Sequence, residues 1–487
     1  MSHGKCYGQE GWAVSTEIPS SQGLCESDEG NSCALVSSPP PARPRLPVKP
    51  EDIVIQRGYA LDPVAIGLTF PTSITFDDDG NIYIAEAGYS YGPAKSAGQG
   101  RVLRLKPDGS MECIVCGLRG PVTGMAYRGG SIYVAQGGFP GRILRVDSDR
   151  KVTPLIEGLR SGGDHFTGDI AFGPDGRMYF GVGSVTNSGV VGVDNFFFGW
   201  LAVMPQMHDI PYRTAVLRGA NYVSANPFTL NQPVPCTSMT GAYKPFGVPS
   251  SPGEIVPGNQ MANSVMYSAN PDGSDLQVVA DGLRNPFGIG FCPCGSLYAM
   301  DQGYDARGSR PVSNSPDSMW RIEEGGWYGF PDYVSGLPIT LPQFQTPGMP
   351  QTEAVLAEPP PLAGEPELRL AAHAASTKFA FSTNPAFGHV GEVFIAQLGS
   401  GGPSTGGTAP EGQRVVRANL RNGEVHSFLA SRNPGPGGKG PQRPVDVKFD
   451  PSGRTLYVLD FGTLEGVPTG VIPYCGSGIL WKVRRSR

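Results

Sequence analysis

One short phrase recurs six times along this chain, and that recurrence limits the folds open to it more than any other feature. The phrase has a Gly-Leu or Pro-containing lead-in, a short apolar run, a turn written in Asp and Gly, and a second run of β-branched and aromatic residues. The copies occupy Gly67–Glu86, Gly117–Gln136, Gly158–Ser184, Gly282–Gly303, the looser Phe379–Ala396, and Pro444–Asp460. Gly, Asp and Pro supply the backbone angles a tight hairpin needs, and the flanking runs are expected to alternate as strands do. Further strand-like runs follow at Gly100–Leu105, Gly141–Val146, Ser318–Ile322, Gln413–Ala418 and Gly478–Val483. A four-stranded unit of this size cannot bury both its faces alone, so neighbours must stack against it. The expected fold is therefore all-β, a six-bladed β-propeller with two long loop insertions and an irregular N-terminal tail. A β-sandwich is the runner-up, and the period and copy number argue against it.

Within the 487 residues, the polar, Ser/Gly-rich stretch 1–50 ends in the stiff run Pro39–Pro47 and reads as the tail. Residues 51–487 read as the propeller, with Gly/Pro-rich insertions near 185–262 and 329–372 expected to wall one mouth of its channel. Gly (69) and Pro (48) are abundant enough to raise disorder as a competitor, but they sit between apolar runs, as turn punctuation does. The net charge of −5, with no basic block beyond Arg484–Arg487, argues against a nucleic-acid partner. The longest strongly apolar stretch, Phe196–Met204, is too short to span a bilayer and reads as a buried loop anchor rather than an exposed lip. The first residues carry no basic segment followed by an apolar run, so no secretory signal is visible. Nine cysteines are poorly patterned: Cys113 and Cys116 are followed by Gly, not His, no further zinc ligands stand at suitable spacing, and Cys292 and Cys294 fall in a hairpin turn. They read as structural or incidental thiols.

Of six histidines, His165 stands out in Ser161-Gly-Gly-Asp-His165, directly before a blade's first strand. Glycines let backbone approach a ligand, and an adjoining carboxylate, Asp164, can orient or charge-tune an imidazole acting as general base. Arg284-Asn285 and Arg443 hold the matching positions of the fourth and sixth copies. Matching lead-ins of different blades face one channel end, so His165, Arg284 and Arg443 are expected to converge, although inter-blade salt bridges are an alternative use of the arginines. A base beside cations suits alcohol oxidation or the binding of an anionic or carbonyl ligand. His373 follows the second insertion and is a weaker candidate for the same place.

Gly162-Gly-Asp-His165, Gly282–Phe291, Gly326–Pro331 and Arg443–Val447, in that order, resemble the glucose/sorbosone dehydrogenase family over roughly residues 60–485. That resemblance implies a quinoprotein six-bladed propeller using pyrroloquinoline quinone (PQQ) and calcium to oxidise a hydroxyl of a sugar, polyol or related aldehyde, with a separate redox acceptor. It implies that His165, beside Asp164, removes the hydroxyl proton, and that Arg284 and Asn285 contact the quinone. Arg443 would add a further cofactor contact. Calcium would rest on backbone carbonyls, nearest Gly303 and Tyr304. It also implies a periplasmic or extracellular setting. Three positions depart from the family pattern. Arg119-Gly120 stands for a glutamine, Gln397–Ser400 for a lysine, and Val445 for a second arginine. Two other readings stay open. Glu86, Asp301 and Asp460 end second strands and suit a calcium-dependent lactonase-type hydrolase, and the departures suit a non-catalytic ligand-binding propeller.

Overall fold

In the computed structural model, residues 48–88, 99–229, 236–402, 411–435, 438–467 and 470–486 are described, and the tail expected over 1–50 lies almost wholly outside them. Each hairpin turn forms where Asp and Gly stand. In the first copy Gly80 adopts a φ of 80°, its N–H donating to the carbonyl of Asp77, while the Asp77 carboxylate accepts from the amides of Asp79 and Asn81.

The six copies become the two inner strands of six sheets, antiparallel except where Gly326–Trp327 pairs in parallel at the edge of blade three. Blade one runs Pro71–Phe76, Ile82–Glu86, Gly100–Leu105 and Met111–Leu118, and blade two runs Val122–Arg128, Ser131–Gln136, Gly141–Val146 and Val152–Leu159. Blade three is Thr167–Phe172, Met178–Val182, Val265–Ala269 and Gln277–Asp281. Blade four is Pro286–Phe291, Leu297–Asp301, Pro316–Arg321 and Leu368–Ala372. Blade five is Ser376–Phe381, Val393–Gln397, Arg414–Asn419 and Glu424–Ser431, with Ile53–Ile55 added at its edge. Blade six takes Pro444–Phe449, Leu456–Asp460 and Gly478–Arg485 from the C-terminal part and its outermost strand, Tyr59–Leu68, from the N-terminal part. That last strand pairs from Tyr59 opposite Arg485 to Leu68 opposite Gly478 and closes the ring.

The core is divided accordingly into an apolar cluster between each neighbouring pair of blades. Ala85 and Val102 of blade one meet Val134 and Leu144 of blade two; Tyr133 and Ile143 meet Phe180 and Tyr267; Met266 meets Ile289 and Trp320. Met300 and Met319 meet Ile395 and Val416; Phe394 and Phe428 meet Val458 and Trp481; Leu459 and Leu480 meet Ile74 and Ile84. Inner strands are therefore covered on both faces, which corrects the expected alternation: most of their residues are buried in succession.

All six innermost strands carry a register shift in their first residues, between Pro71 and Ser73, Val122 and Gly124, Thr167 and Ile170, Pro286 and Gly288, Ser376 and Phe379, and Pro444 and Asp446. Bulges at a rim re-aim side chains. Here they stand where the lead-in segments deliver His165, Arg284 and Arg443.

Both insertions are structured and share a core. Two short helices, α1 (Val193–Phe197) and α2 (Trp200–Val203), and the hairpin Asn221–Ala225 with Thr237–Gly241 interrupt blade three. Leu217 pairs with Leu356 across the insertions, and Trp327 packs with Tyr243 and Val355. The stretch 196–204 serves both readings at once: Trp200 and Leu201 are buried, whereas Phe197 and Val203 face outward. The cysteine expectation is corrected. Cys113–Cys116 and Cys292–Cys294 are disulfides. A bulge between Cys113 and Val115, seen as a register shift against Leu103 and Val102, brings two residues three apart onto one side of their strand. The tight turn closed by Gly295 and Ser296 holds Cys292 and Cys294 with Cα atoms 5.2 Å apart. No helix among the described residues is long and apolar enough to cross a membrane.

Candidate active site at one mouth of the propeller

The lead-in before blade three is built on glycine for want of space. Gly163 has a φ of 88°, and a Cβ there would lie 2.4 Å from the Val185 carbonyl oxygen. A Cβ on Gly183 would lie 2.6 Å from that of His165. The imidazole therefore sits directly on backbone, 7% exposed, at the edge of a cleft that Arg284, Tyr304 and Asp305 also line.

Its partner is Ser184, not the neighbouring carboxylate. Nδ1 of His165 is 2.9 Å from both the carbonyl oxygen and the Oγ of Ser184, and that hydroxyl donates its own proton to the Thr186 carbonyl. Nδ1 thus faces only acceptors and must carry the proton, which leaves the lone pair on Nε2. Burial first, and then the positive charge of Arg284, push this imidazole down to about 3, against the opposing pull of Asp164, so the ring is neutral at ordinary pH. Asp209 steadies the same backbone from behind by accepting from the amides of Val185 and Thr186, and burial raises its carboxyl to about 7.

Asp164 points the other way, so of the two roles expected for it, it does not orient His165 and acts on that ring only through its charge. One oxygen accepts from Trp200 Nε1 (2.8 Å) and Asn195 Nδ2 (3.0 Å), and the other meets Arg307 at 2.8 Å. It ties α1 and α2 to the mouth instead. Arg307, which the sequence reading passed over, also contacts Asp194 and Asp305, whose charges with that of Asp164 raise it above its ordinary value in spite of burial.

Arg284 lines the cleft as expected, but its fork is largely engaged. Nε and Nη2 reach the carbonyl and amide oxygens of Asn187 at 2.8 Å, and Nη2 stands 3.4 Å from Asp305. Nη1 makes only a 3.4 Å contact with the Gln302 carbonyl. Asn285 donates from Nδ2 to Gln302 Oε1 at 2.7 Å, and its Oδ1 is buried without a partner among the described residues. Gly303 and Tyr304 line the same wall, and neither carbonyl accepts a hydrogen bond among the described residues. A Cβ on Gly303 would lie 2.5 Å from the Ser315 carbonyl. No group of three or more His, Cys, Asp or Glu among the described residues is arranged to hold a metal.

Arg443 does not reach the cleft surface. Its Nη1 donates to the carbonyls of Leu398, Gly399 and Ser400, so it braces from behind the very loop that forms the opposite wall, and burial pushes it down to about 10. Repeat equivalence places its backbone correctly, but a guanidinium longer than its lead-in loop finds carbonyls before it finds the channel. Ala375, Leu464, Val471 and Phe198 complete an apolar lining, and His373 joins the cleft beside Asp305.

The carboxylates that end second strands do not converge. Glu86 accepts from the amide of Thr69, Asp301 from that of Asn285, and Asp460 from those of Gln442 and Arg443, each fastening the lead-in of its own blade. The channel-metal arrangement of a lactonase-type site is not formed by them.

The fold and site thus define a six-bladed propeller with a neutral histidine and a partly engaged arginine at one mouth. No family model matches the sequence, and no curated protein matches it. Solved structures do. The chain is similar to the PQQ domain of a pyranose dehydrogenase from Coprinopsis cinerea in its holo form, with 16% identity, a TM-score of 0.55, and coverage of 91% of this chain and 98% of that one. It is similar to a Trichoderma reesei carbohydrate-active enzyme of family AA12 in a calcium structure, with 17% identity, a TM-score of 0.52, and coverage of 91% and 99%. It is also similar to the soluble aldose sugar dehydrogenase of Escherichia coli in its apo-form, with 13% identity, a TM-score of 0.50, and coverage of 88% and 100%. At these identities the likeness is one of fold.

Proposed function

We propose that this protein is an oxidoreductase that takes hydrogen from a hydroxyl-bearing carbon of a sugar, polyol or related aldehyde, with PQQ and calcium at the mouth cleft. The observation that carries the reading is His165, a neutral imidazole whose Nδ1–H is fixed by Ser184 and whose Nε2 is left for a ligand. The relatives in fold named above support the cofactor and the sugar class.

The residues fit the reactive edge of such a cofactor. Arg284 Nη1, with only one long contact, and the Asn285–Gln302 amides could donate to a flat ring's carbonyls, the apolar wall of Leu398, Leu464 and Val471 would suit its faces, and the Gly303 and Tyr304 carbonyls would suit a hard cation. Its three carboxylates meet less, because Arg284 and Arg307 are already paired with Asp305, Asp164 and Asp194. Binding is accordingly expected to be loose.

When bound, the quinone supplies a two-electron acceptor, and calcium polarises it. His165 Nε2 accepts the substrate hydroxyl proton, while Ser184 holds the ring so that no other tautomer competes. Because its imidazolium is costly in this buried place, His165 does not hold the proton ahead of C–H cleavage. Arg284 is fixed by Asn187 and donates from Nη1 without reorganising. Of the two insertions expected to wall the mouth, only the first lines this cleft, through Phe198 on the segment that Asp164 holds by way of Trp200.

Purified full-length protein supplied with PQQ and calcium is expected to reduce an artificial dye with some member of a panel of aldoses and polyols. Activity should saturate with PQQ and be lost on chelation. No turnover, together with no quinone absorbance at saturating PQQ, overturns the proposal.

A further inference from the structure

Three carboxylates and two guanidiniums make one ionic cluster at the cleft. Asp164, Asp194 and Asp305 each contact Arg307, and Asp305 contacts Arg284 as well. The count leaves one negative charge over. Both arginines approach Oδ2 of Asp305, and Oδ1 is left facing Nδ1 of His373 at 3.8 Å. The backbone goes out of its way to place that ring. His373 has a φ of 61° and Ala375 one of 47°, two non-glycine residues in the left-handed region within three positions. Such strain persists only where the surroundings enforce it. Nδ1 is buried without a hydrogen bond among the described residues, and the ring lines the cleft that His165 also lines.

We infer that His373 is the second acid–base group of this cleft, an imidazolium that balances the Asp305 cluster through Nδ1 and presents an Nε2 proton to the oxygen on which negative charge develops during oxidation. The inference rests on the oxidoreductase reading above. The groups facing His373 are Asp305, Asp317 and Arg284; Asp305 first, against burial, raises the imidazole, and Arg284 works the other way. Their surroundings thus push the two imidazoles in opposite directions, as suits an acid and a base sharing one site. The substrate gives up a hydride and a hydroxyl proton: the electron pair goes to an acceptor of the quinone class, the proton to His165, and the His373 proton neutralises the oxygen that becomes negative. Solvent takes one proton and restores the other.

The test is histidine ring NMR on the full chain, with signals assigned by His373→Asn, a substitution that tolerates the left-handed backbone, and by His165→Gln. His373 is expected to titrate above the ordinary histidine value and to fall by a unit or more in Asp305→Asn, while His165 shows no titration between pH 5 and 8. With PQQ, calcium and sugar, kcat/KM should decline as pH rises through the His373 value, and His373→Asn should lose about tenfold at the optimum together with that alkaline limb. A His373 that titrates at or below the ordinary value, or an alkaline limb unchanged in His373→Asn, overturns the inference. A wild-type chain with no turnover at any pH removes the reaction and this role with it. The titration tells that failure apart from a wrong proton state.

Discussion

Replacing Lys378 by Met is expected to cost about 3 to 5 kcal/mol of stability, the largest loss we foresee for any single conservative substitution in this chain. Lys378 belongs to the innermost strand of blade five, only 1% exposed, and its ammonium lies where the blades meet. It donates to the Thr123 carbonyl of blade two at 2.9 Å, meets Asp169 of blade three at 3.1 Å and Asp446 of blade six at 3.8 Å, and sits 5.7 Å from the Phe287 ring of blade four. Asp446 in turn accepts the amide of Ile74 in blade one at 2.9 Å, so one cation and its partner touch all six blades.

Methionine keeps the length of the side chain and removes the charge, leaving two buried carboxylates, of which the Asp446 Oδ1 already has no partner among the described residues. Burial already raises the Asp446 carboxyl, with Lys378 opposing, so without the cation Asp446 should bind its proton more tightly in the folded chain than in the unfolded one. In that case the folded state holds more protons, and the variant loses stability as pH rises above the ordinary carboxylate range and regains it as pH falls. Denaturation midpoints at pH 5 and pH 8 check this. A variant equally stable at both, or within 1 kcal/mol of the wild type at pH 8, would show that the ammonium is not what neutralises the axis. Adding Asp169→Asn and Asp446→Asn to Lys378→Met should restore part of the loss, since the remaining amides carry no charge to bury.

The ring was legible in the sequence because its signal is local. Asp77 and Gly80 make their turn with residues at most four positions apart, and the same device recurs at Asp450 and Gly453. The closing strand was not legible, because Tyr59–Leu68 owes its place to Gly478–Arg485 some four hundred residues on and carries Pro63 and Gly67, which weaken its own strand signal. The hairpin Leu464–Val467 with Gly470–Pro473, which brings Leu464 and Val471 to the cleft, was hidden for a similar reason, being short and cut by Pro468 and Gly470.

At the site, repeat position found His165, Arg284 and Asn285 because it fixes where a backbone arrives. It does not fix where a long side chain ends, so Arg443 turned back to carbonyls. It also says nothing about partners on the next strand, where Ser184 orients His165 and leaves Asp164 only its charge to act with. Arg307 and Asp305 had a faint signal, as charged residues just beyond the Asp301–Tyr304 segment. Ser184 had none, since a serine at a strand end is unremarkable until the ring against it is seen.

His165→Gln is expected to lower kcat by about 100- to 10,000-fold in the PQQ- and calcium-supplied assay, with a much smaller change in KM. Glutamine can still donate to Ser184 and fill the site above Gly183, but its remaining oxygen is far too weak a base to take a hydroxyl proton. Ser184→Ala tests the same point from behind. The backbone carbonyl of residue 184 still faces Nδ1, so the tautomer is kept and the loss should stay within about tenfold.

The two substitutions also differ in their effect on acid stability. A histidine held at about 3 in the folded chain, against an ordinary value of 6.5, binds its proton first in the unfolded chain. The wild type therefore loses stability as pH falls from 6.5 toward 3, and His165→Gln should flatten that slope while Ser184→Ala keeps it. If instead His165→Gln turned over sugar at the wild-type rate and left the acid slope unchanged, His165 would be neither the base nor a buried neutral ring, and the cleft would have to work through Arg284 and His373 alone.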